Sequence, residues 1–281
     1  MATIKSALAV AFDLFQNSAE TPLLDAEILL CNVLDKERAY LRTWPERALT
    51  QDQLQAFQVL VTARQLGKPI AYLTGNREFW SLDFQVSPDV LIPRPETELL
   101  VELSLKLIPV TKPCHIIDLG TGSGIIAVSL ATERPQAKIT ATDISSSALE
   151  MAKLNATKNK VKSIQFYQSH WFNNVPPGKF NLILSNPPYL AEDDPHLTEG
   201  DLRFEPKTAL VADQDGLADI RAIAETAITK LESGGYLMVE HGYAQGLTIR
   251  NLFIGLGYDN VQTYQDLADL PRVTAGQYFD P

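Results

Sequence analysis

The sequence predicts an α/β protein: a doubly wound, mostly parallel sheet preceded by a small helical domain and a β-hairpin. Three observations predict it. Residues 1–74 carry apolar positions at helical spacing; a short stretch after them alternates with period two; and from about residue 113 apolar strand-like runs alternate with helical ones. Alternation of that kind places parallel strands side by side with helices on both faces.

In the first stretch Ile4, Leu8, Phe12 and Phe15 form one helical stripe. Thr21-Pro22 reads as an N-cap with proline at the first helical position, opening an apolar run through Leu34. Thr50 and Gln53 form a capping-box pattern. Leu54, Phe57 and Val61 line the helix that follows, and Gly67-Lys68-Pro69 stops it. Next, Trp80, Leu82, Phe84 and Val86 alternate with Ser81, Asp83, Gln85 and Ser87, the mark of a half-buried strand. Val90-Leu91-Ile92 is its expected hairpin partner. Pro93-Arg94-Pro95 breaks the pattern, and Pro95-Glu96-Thr97-Glu98 opens a helix, because acidic residues suit the positive end of the helix dipole. The expected organisation is a helical domain over 1–74, a hairpin linker over 75–94 and the sheet domain over 95–281. Strands are expected at 115–119, 138–142, 163–167, 180–185, 235–240, 258–264 and 275–279. Helices are expected near 123–133, 145–158, 215–232 and 243–256. Right-handed crossovers then place the ligand crevice at the carboxyl ends of the strands.

Composition narrows the function. The chain has 281 residues, 45% apolar and 21% charged, enough for about two domains with a sizeable core. No apolar run approaches the roughly 18 residues of a membrane span. The N-terminal residues Met1 to Lys5 lead into no signal peptide, so a cytoplasmic protein is expected. Cys31 and Cys114 stand alone and read as small buried hydrophobes. His115, His170, His196 and His241 show no metal-ligand spacing, so no metal is expected. The net charge is −10; residues 1–74 hold 7 Lys+Arg against 8 Asp+Glu, so nearly all the excess lies beyond them. A non-specific nucleic-acid binder usually presents a basic face, and this balance leans toward a protein or small-molecule partner.

Three motifs carry chemistry. Asp118-Leu119-Gly120-Thr121-Gly122-Ser123-Gly124 follows a strand and opens a helix. Its glycines allow a tight turn and close approach of a ligand to the backbone. The G-x-G-x-G spacing is not that of dinucleotide binding, and no Gly-Lys-Ser/Thr makes it a phosphate loop. Asp143 ends the next strand, 19 residues beyond Gly124. An acid so placed accepts hydrogen bonds from ribose hydroxyls, caps the helix beginning at Ser145, or does both. Asn186-Pro187-Pro188-Tyr189 directly follows the strand over 180–185. Its prolines stiffen a loop whose Asn186 side-chain oxygen and Pro187 carbonyl can point at one NH₂ group, while Tyr189 offers a flat face.

These three motifs resemble those of class I S-adenosylmethionine-dependent methyltransferases that act on amide or exocyclic nitrogens. Further motifs, Gly75 to Trp80, Ile92 to Glu98, Arg203-Phe204-Glu205-Pro206 and Glu240-His241-Gly242, resemble the bacterial release factor glutamine methyltransferase family (PrmC/HemK) over nearly the whole chain. The resemblance implies a Rossmann-like class I domain with a seven-stranded, mostly parallel sheet. It implies S-adenosylmethionine bound by Gly120, Thr121, Gly122, Ser123, Gly124, Asp143, Trp171 and Asn186, leaving S-adenosylhomocysteine as product. Asn186, Pro187, Pro188 and Tyr189 would bind the substrate glutamine within a Gly-Gly-Gln motif, with Asn186, Pro187 and Tyr189 as the catalytic residues. The partners implied are class 1 peptide chain release factors, with no direct nucleic-acid binding and no membrane. The helical domain is then the natural recognition module for a protein substrate. The acidic stretch 191–212 is either a solvated loop or a cover on the substrate site anchored by Arg203 and Glu205.

The rival reading is an N6-adenine methyltransferase, or a guanine-N2 methyltransferase of ribosomal RNA, using the same loop on a flipped base and needing a basic approach surface. A cofactor-binding protein without catalysis would keep the glycine loop but has no need of Asn186 to Tyr189.

Overall fold

A computed structural model gives the structure of residues 2–16 and 19–280; Met1 and Pro281, the outer ends of the expected domains, fall outside it. The chain divides into two compact units, Met1–Asn76 with Pro195–Phe204, and Arg77–Asp194 with Glu205–Pro281.

The first unit holds α1 (Ile4–Phe15), α2 (Pro22–Leu34), α3 (Arg38–Thr43), α4 (Gln51–Gln65) and α5 (Ile70–Thr74). Both sides of the capping box at Thr50 and Gln53 are made, and Thr3 with Ser6 forms another ahead of α1. The buried face of α1 is Ile4, Ala7, Ala11 and Phe15 rather than the expected Ile4–Leu8–Phe12–Phe15 stripe. Phe12 is 36% exposed. The alanines occupy the contact face, since small side chains let neighbouring helices approach closely. Thr21 does not cap α2 with its side chain; its hydroxyl donates to Asp25 Oδ1 instead. Asp25 also accepts from Arg64 Nε at 2.8 Å, a pair drawn between α2 and α4 with little solvent access. Arg64 reaches Asp201 of the 195–204 segment at 3.9 Å.

The hairpin differs from the expectation. Its strands are β1 (Asn76–Phe79) and β2 (Leu82–Gln85), and residues 90–92 form no strand. The reversal falls on Trp80 and Ser81, at φ 53° and 56°, the left-handed pair that a two-residue hairpin turn requires. Period-two alternation ran straight through this turn and hid it. Partners distant in sequence hold Trp80 there: its N–H donates to Glu98 Oε1 at 2.9 Å and its indole N–H to Glu133 Oε1 at 3.0 Å. Val90 and Ile92 are buried as packing residues, which explains their apolar character without a strand.

After a 3₁₀ turn at Pro95–Thr97 come α6 (Glu98–Leu107), β3 (His115–Leu119), α7 (Ile125–Glu133), β4 (Lys138–Asp143), α8 (Ser146–Lys158), β5 (Ile164–Gln168) and β6 (Phe180–Ser185). Then follow α9 (Asp213–Gly216), α10 (Ala218–Lys230), β7 (Leu231–Glu240), α11 (Gly246–Gly255), β8 (Asp259–Gln265) and β9 (Pro271–Tyr278). Seven strands form one sheet in the order β5-β4-β3-β6-β7-β9-β8. The first five strands in that order run parallel, and β9 inserts antiparallel between β7 and β8. The single helix expected over 215–232 is two pieces that end at Lys230, because Leu231 already pairs with Phe180 ahead of a bulge in β7.

Each central strand is apolar on both faces, as burial under helices demands. Ile116, Ile139, Leu182, Leu184 and Met238 face a cluster with α6 and α7. Ile117, Leu119, Ile183, Leu237 and Val239 face the opposite cluster with α10 and α11. Cys114 is buried and Cys31 half-buried; both are free thiols, and burial raises their pKa above the ordinary thiol value. Among the described residues no helix is long and apolar enough to cross a membrane.

Candidate active site

The strand order reverses between β3 and β6, so a crevice opens at their carboxyl ends. Ser185 secures this edge: its buried hydroxyl donates to the Leu119 carbonyl at 2.7 Å. A cavity of about 320 Å³ fills the crevice, within the range of small-molecule sites. Gly120, Thr121, Gly122, Ser123, Asp143, Trp171, Asn186 and Pro188 all line it.

The glycine loop is shaped by left-handed residues. Gly122 sits at φ +55°, and a Cβ added there would meet nothing within 4 Å, so bare backbone faces open space. Gly124 does not line the cavity. It heads α7 at φ +86°, and a Cβ there would lie 3.1 Å from that of Ala152, so its role is close packing of α7 on α8. Asp118 is fully buried beneath the loop, where Thr121 donates to Oδ2 at 2.7 Å. Burial pushes its carboxyl up to about 7, against the Thr121 bond that lowers it.

Asp143 is held by backbone donors, with Gly122 N–H on Oδ2 and Ser145 N–H on Oδ1, both at 2.9 Å, and a further contribution from the Ile144 N–H. Desolvation raises the Asp143 pKa, partly offset by these bonds. Ser145, not Asp143, caps α8, accepting from Ala148 N–H. Trp171 adopts φ 48° and lays its ring against Gly120, where a Cβ would come within 3.3 Å of it. Among the described residues its indole N–H has no partner of normal hydrogen-bond geometry, though it lies near enough to Asp219, which also lines the cavity, to lower that group's pKa.

Across the crevice, Asn186 Nδ2 donates to Thr97 Oγ1 at 3.2 Å. Pro187 is buried and does not line the cavity, and Tyr189 is half-buried against the α10–α11 cluster. Burial raises the Tyr189 hydroxyl well above its ordinary value. Gln245 Nε2 donates to the Tyr189 carbonyl at 3.0 Å, and Gly216 packs under that carbonyl, where a Cβ would come within 2.1 Å. The following segment returns to the site. Leu190 and Val211 form a parallel bridge, and Pro206, Thr208, Ala209 and Val211 line the cavity, so its second half is a wall rather than a solvated loop. Glu205 anchors that wall through Arg94 and the Ile92 N–H. Arg203 stays with the other unit, donating to Gly200 O and lying over the Phe204 ring.

Asn155 escaped the sequence reading, because an asparagine in a polar helix carries no periodic signal. It is fully buried on α8 and makes three bonds: Nδ2 to the Gln85 and Ser123 carbonyls, Oδ1 from the Gln85 N–H. It therefore ties the hairpin to the glycine loop. Asn155→Ala strands these buried backbone groups at about 1–3 kcal/mol each. We expect it to cost about 2–4 kcal/mol in urea unfolding; a loss below about 0.5 kcal/mol would contradict this role.

A glycine loop at the switch point, with an acid at the end of the adjacent strand, is the arrangement of the class I methyltransferases. Residues 96–200 match the methyltransferase small domain, and residues 6–75 match the PrmC N-terminal domain. The chain is 49% identical over 278 residues to the release factor glutamine methyltransferase of Vibrio cholerae, covering 98% of this chain and 97% of that one. It is 49% identical over 262 residues to the release factor glutamine methyltransferase of Escherichia coli, covering 93% and 94%. The fold also matches the T. thermophilus 16S rRNA N2 G1207 methyltransferase solved with AdoMet and guanosine, at a TM-score of 0.53 and 19% identity over 72% of this chain and 49% of that one. The chain belongs to the release factor glutamine methyltransferase family.

Proposed function

We propose that this protein methylates the side-chain amide nitrogen (N5) of the glutamine in the Gly-Gly-Gln motif of class 1 peptide chain release factors. The observation that carries this reading is the tethered Asn186: with Nδ2 committed to Thr97, Oδ1 is the end left to accept a hydrogen from a substrate amide. The family relationship supports the same substrate, and the net charge of −10 fits a protein acceptor better than a polyanion. The reaction belongs to the cytoplasm, where translation ends.

The cavity fits S-adenosylmethionine. Open space at Gly122 suits its amino-acid portion, the Asp143 carboxylate on the cavity wall suits the ribose hydroxyls, and Trp171 offers an aromatic wall for adenine. When bound, this cofactor supplies an electrophilic methyl group on a sulfonium.

The remaining chemistry belongs to the chain. An amide nitrogen is a poor nucleophile because its lone pair is delocalised into the carbonyl. Asn186 Oδ1 and the Pro187 carbonyl accept its two hydrogens, orienting the nitrogen and increasing its electron density. Such positioning can supply roughly 7–11 kcal/mol in ideal cases. The same acceptors stabilise the positive charge that develops on nitrogen. Tyr189 covers the amide plane and excludes water during transfer, and the surplus proton leaves afterwards to water or to the loop carbonyl. No covalent enzyme intermediate is needed. The helical domain over 1–74 supplies recognition surface, since a stable protein complex buries roughly 800 Å² per partner, far more than one glutamine offers.

Transfer of a labelled methyl group tests the reading. Label should appear on an intact release factor, and not on the factor whose Gly-Gly-Gln glutamine is alanine, nor on adenine-containing DNA or RNA. Label on nucleic acid alone would favour the base-flipping reading instead.

A further inference from the structure

Two motifs without an assigned role, Pro95-Glu96-Thr97 and Glu240-His241-Gly242, meet behind Asn186. Thr97 is fully buried; its hydroxyl oxygen accepts from Asn186 Nδ2 at 3.2 Å, and the hydroxyl lies close enough to the Glu240 carboxyl to lower that group's pKa. Glu240 ends β7, beside the β6 strand that delivers Asn186; it is 1% exposed, and among the described residues its Oε2 has no hydrogen-bond partner. Around it stand Arg272 from β9, Arg94 and Glu96 from the segment before α6, and Tyr189 after β6. Both guanidiniums are committed elsewhere, Arg94 to Glu205 and Arg272 to Asp266. His241, next in sequence, is also engaged, its Nδ1 to the Gly242 carbonyl and its Nε2 to the Thr274 hydroxyl.

A hydroxyl has one proton to give. An ionised Glu240 can only accept, and a bond to a charged acceptor is the stronger use of that proton. Thr97 oxygen must then accept, and of the two ends of the Asn186 carboxamide only Nδ2 donates. The oxygen and nitrogen of such a group are distinguished by their partners. We propose that Glu240 and Thr97 are positioning residues that fix the Asn186 carboxamide with its oxygen toward the substrate amide. This rests on the reading of Asn186 as an amide acceptor.

Protonation of Glu240 reverses the logic. The carboxylic acid can donate to Thr97, freeing the threonine proton to turn toward Asn186 Oδ1 and so drawing that oxygen away from the substrate. Burial pushes the Glu240 carboxyl up to about 7, against the Thr97 hydrogen bond and the arginines that lower it. The productive orientation is therefore favoured above that pH and weakened below it.

The test measures kcat, the KM for release factor, cofactor affinity and thermal midpoint. Thr97→Val should lower kcat about tenfold while cofactor affinity and thermal midpoint stay near wild type, and Thr97→Ser should restore most of the loss. At saturating cofactor the wild-type kcat should rise with pH through about 7, and Glu240→Gln should flatten that limb. Wild-type kcat in Thr97→Val, a Thr97→Ser variant no faster than Thr97→Val, or a limb that survives in Glu240→Gln would overturn the proposal. If Thr97→Val does not fold, Thr97→Ala and the Glu240→Gln profile carry the test. Asn186→Ala separates the two levels: full activity there removes the acceptor reading itself, whereas a slow Asn186→Ala beside a fast Thr97→Val removes only the positioning.

Discussion

Asn186→Ala should lower kcat by about 10²–10³-fold while leaving the affinity for S-adenosylmethionine within about threefold of wild type. The magnitude is that of removing one fixed hydrogen-bonding group aimed at developing charge. Asn186 lines the cavity from the β6 side, and its Nδ2 is already engaged by Thr97. On the proposed role, the group lost is the oxygen that would hold and polarise the substrate nitrogen. Such an interaction strengthens as positive charge grows there, so its removal falls on the chemical step rather than on ground-state binding. Single-turnover transfer with calorimetry of cofactor binding separates the two. Equal losses in both would contradict the assigned role.

Asp143→Ala should act in the opposite sense, weakening S-adenosylmethionine binding by about 10²–10⁴-fold with kcat at saturation changed only a few-fold. Hydrogen bonds to a charged acceptor contribute roughly 1.5–3 kcal/mol each, and two ribose hydroxyls would lose them. The Gly122 N–H also loses its acceptor, so the loop that faces the cavity is loosened at the same time. Calorimetry decides: unchanged affinity would remove Asp143 from the ribose site.

The legible parts of this chain were those governed by short-range rules. The strand over 180–185 and the helix opened by Thr50 and Gln53 follow from apolar periodicity and capping chemistry, and the structure places both as expected. The lining of the cavity by Gly120, Gly122, Asp143 and Asn186 follows from their positions at strand ends, where a parallel sheet must open. What escaped depends on distant partners. The turn at Trp80-Ser81 is held by Glu98 and Glu133, so alternation alone did not reveal it. The α1 stripe was misplaced because hydrophobicity ranked Phe12 above Ala11, whereas packing selects for size as well. Asn155 is a polar residue buried by tertiary contacts, and no local pattern separates it from surface positions. Gly124 looked like its neighbours in the loop, yet faces Ala152 because α7 must begin there.

The most direct test of the central claim locates the transferred methyl at atomic resolution. A release factor carrying isotope-labelled side-chain amide nitrogen at its Gly-Gly-Gln glutamine is treated with this protein and S-adenosylmethionine, then digested and fragmented by tandem mass spectrometry. The account predicts one methyl group, retained on the fragment that contains the labelled nitrogen and bonded to it. A methyl on the backbone, on another side chain or on a different macromolecule would contradict it.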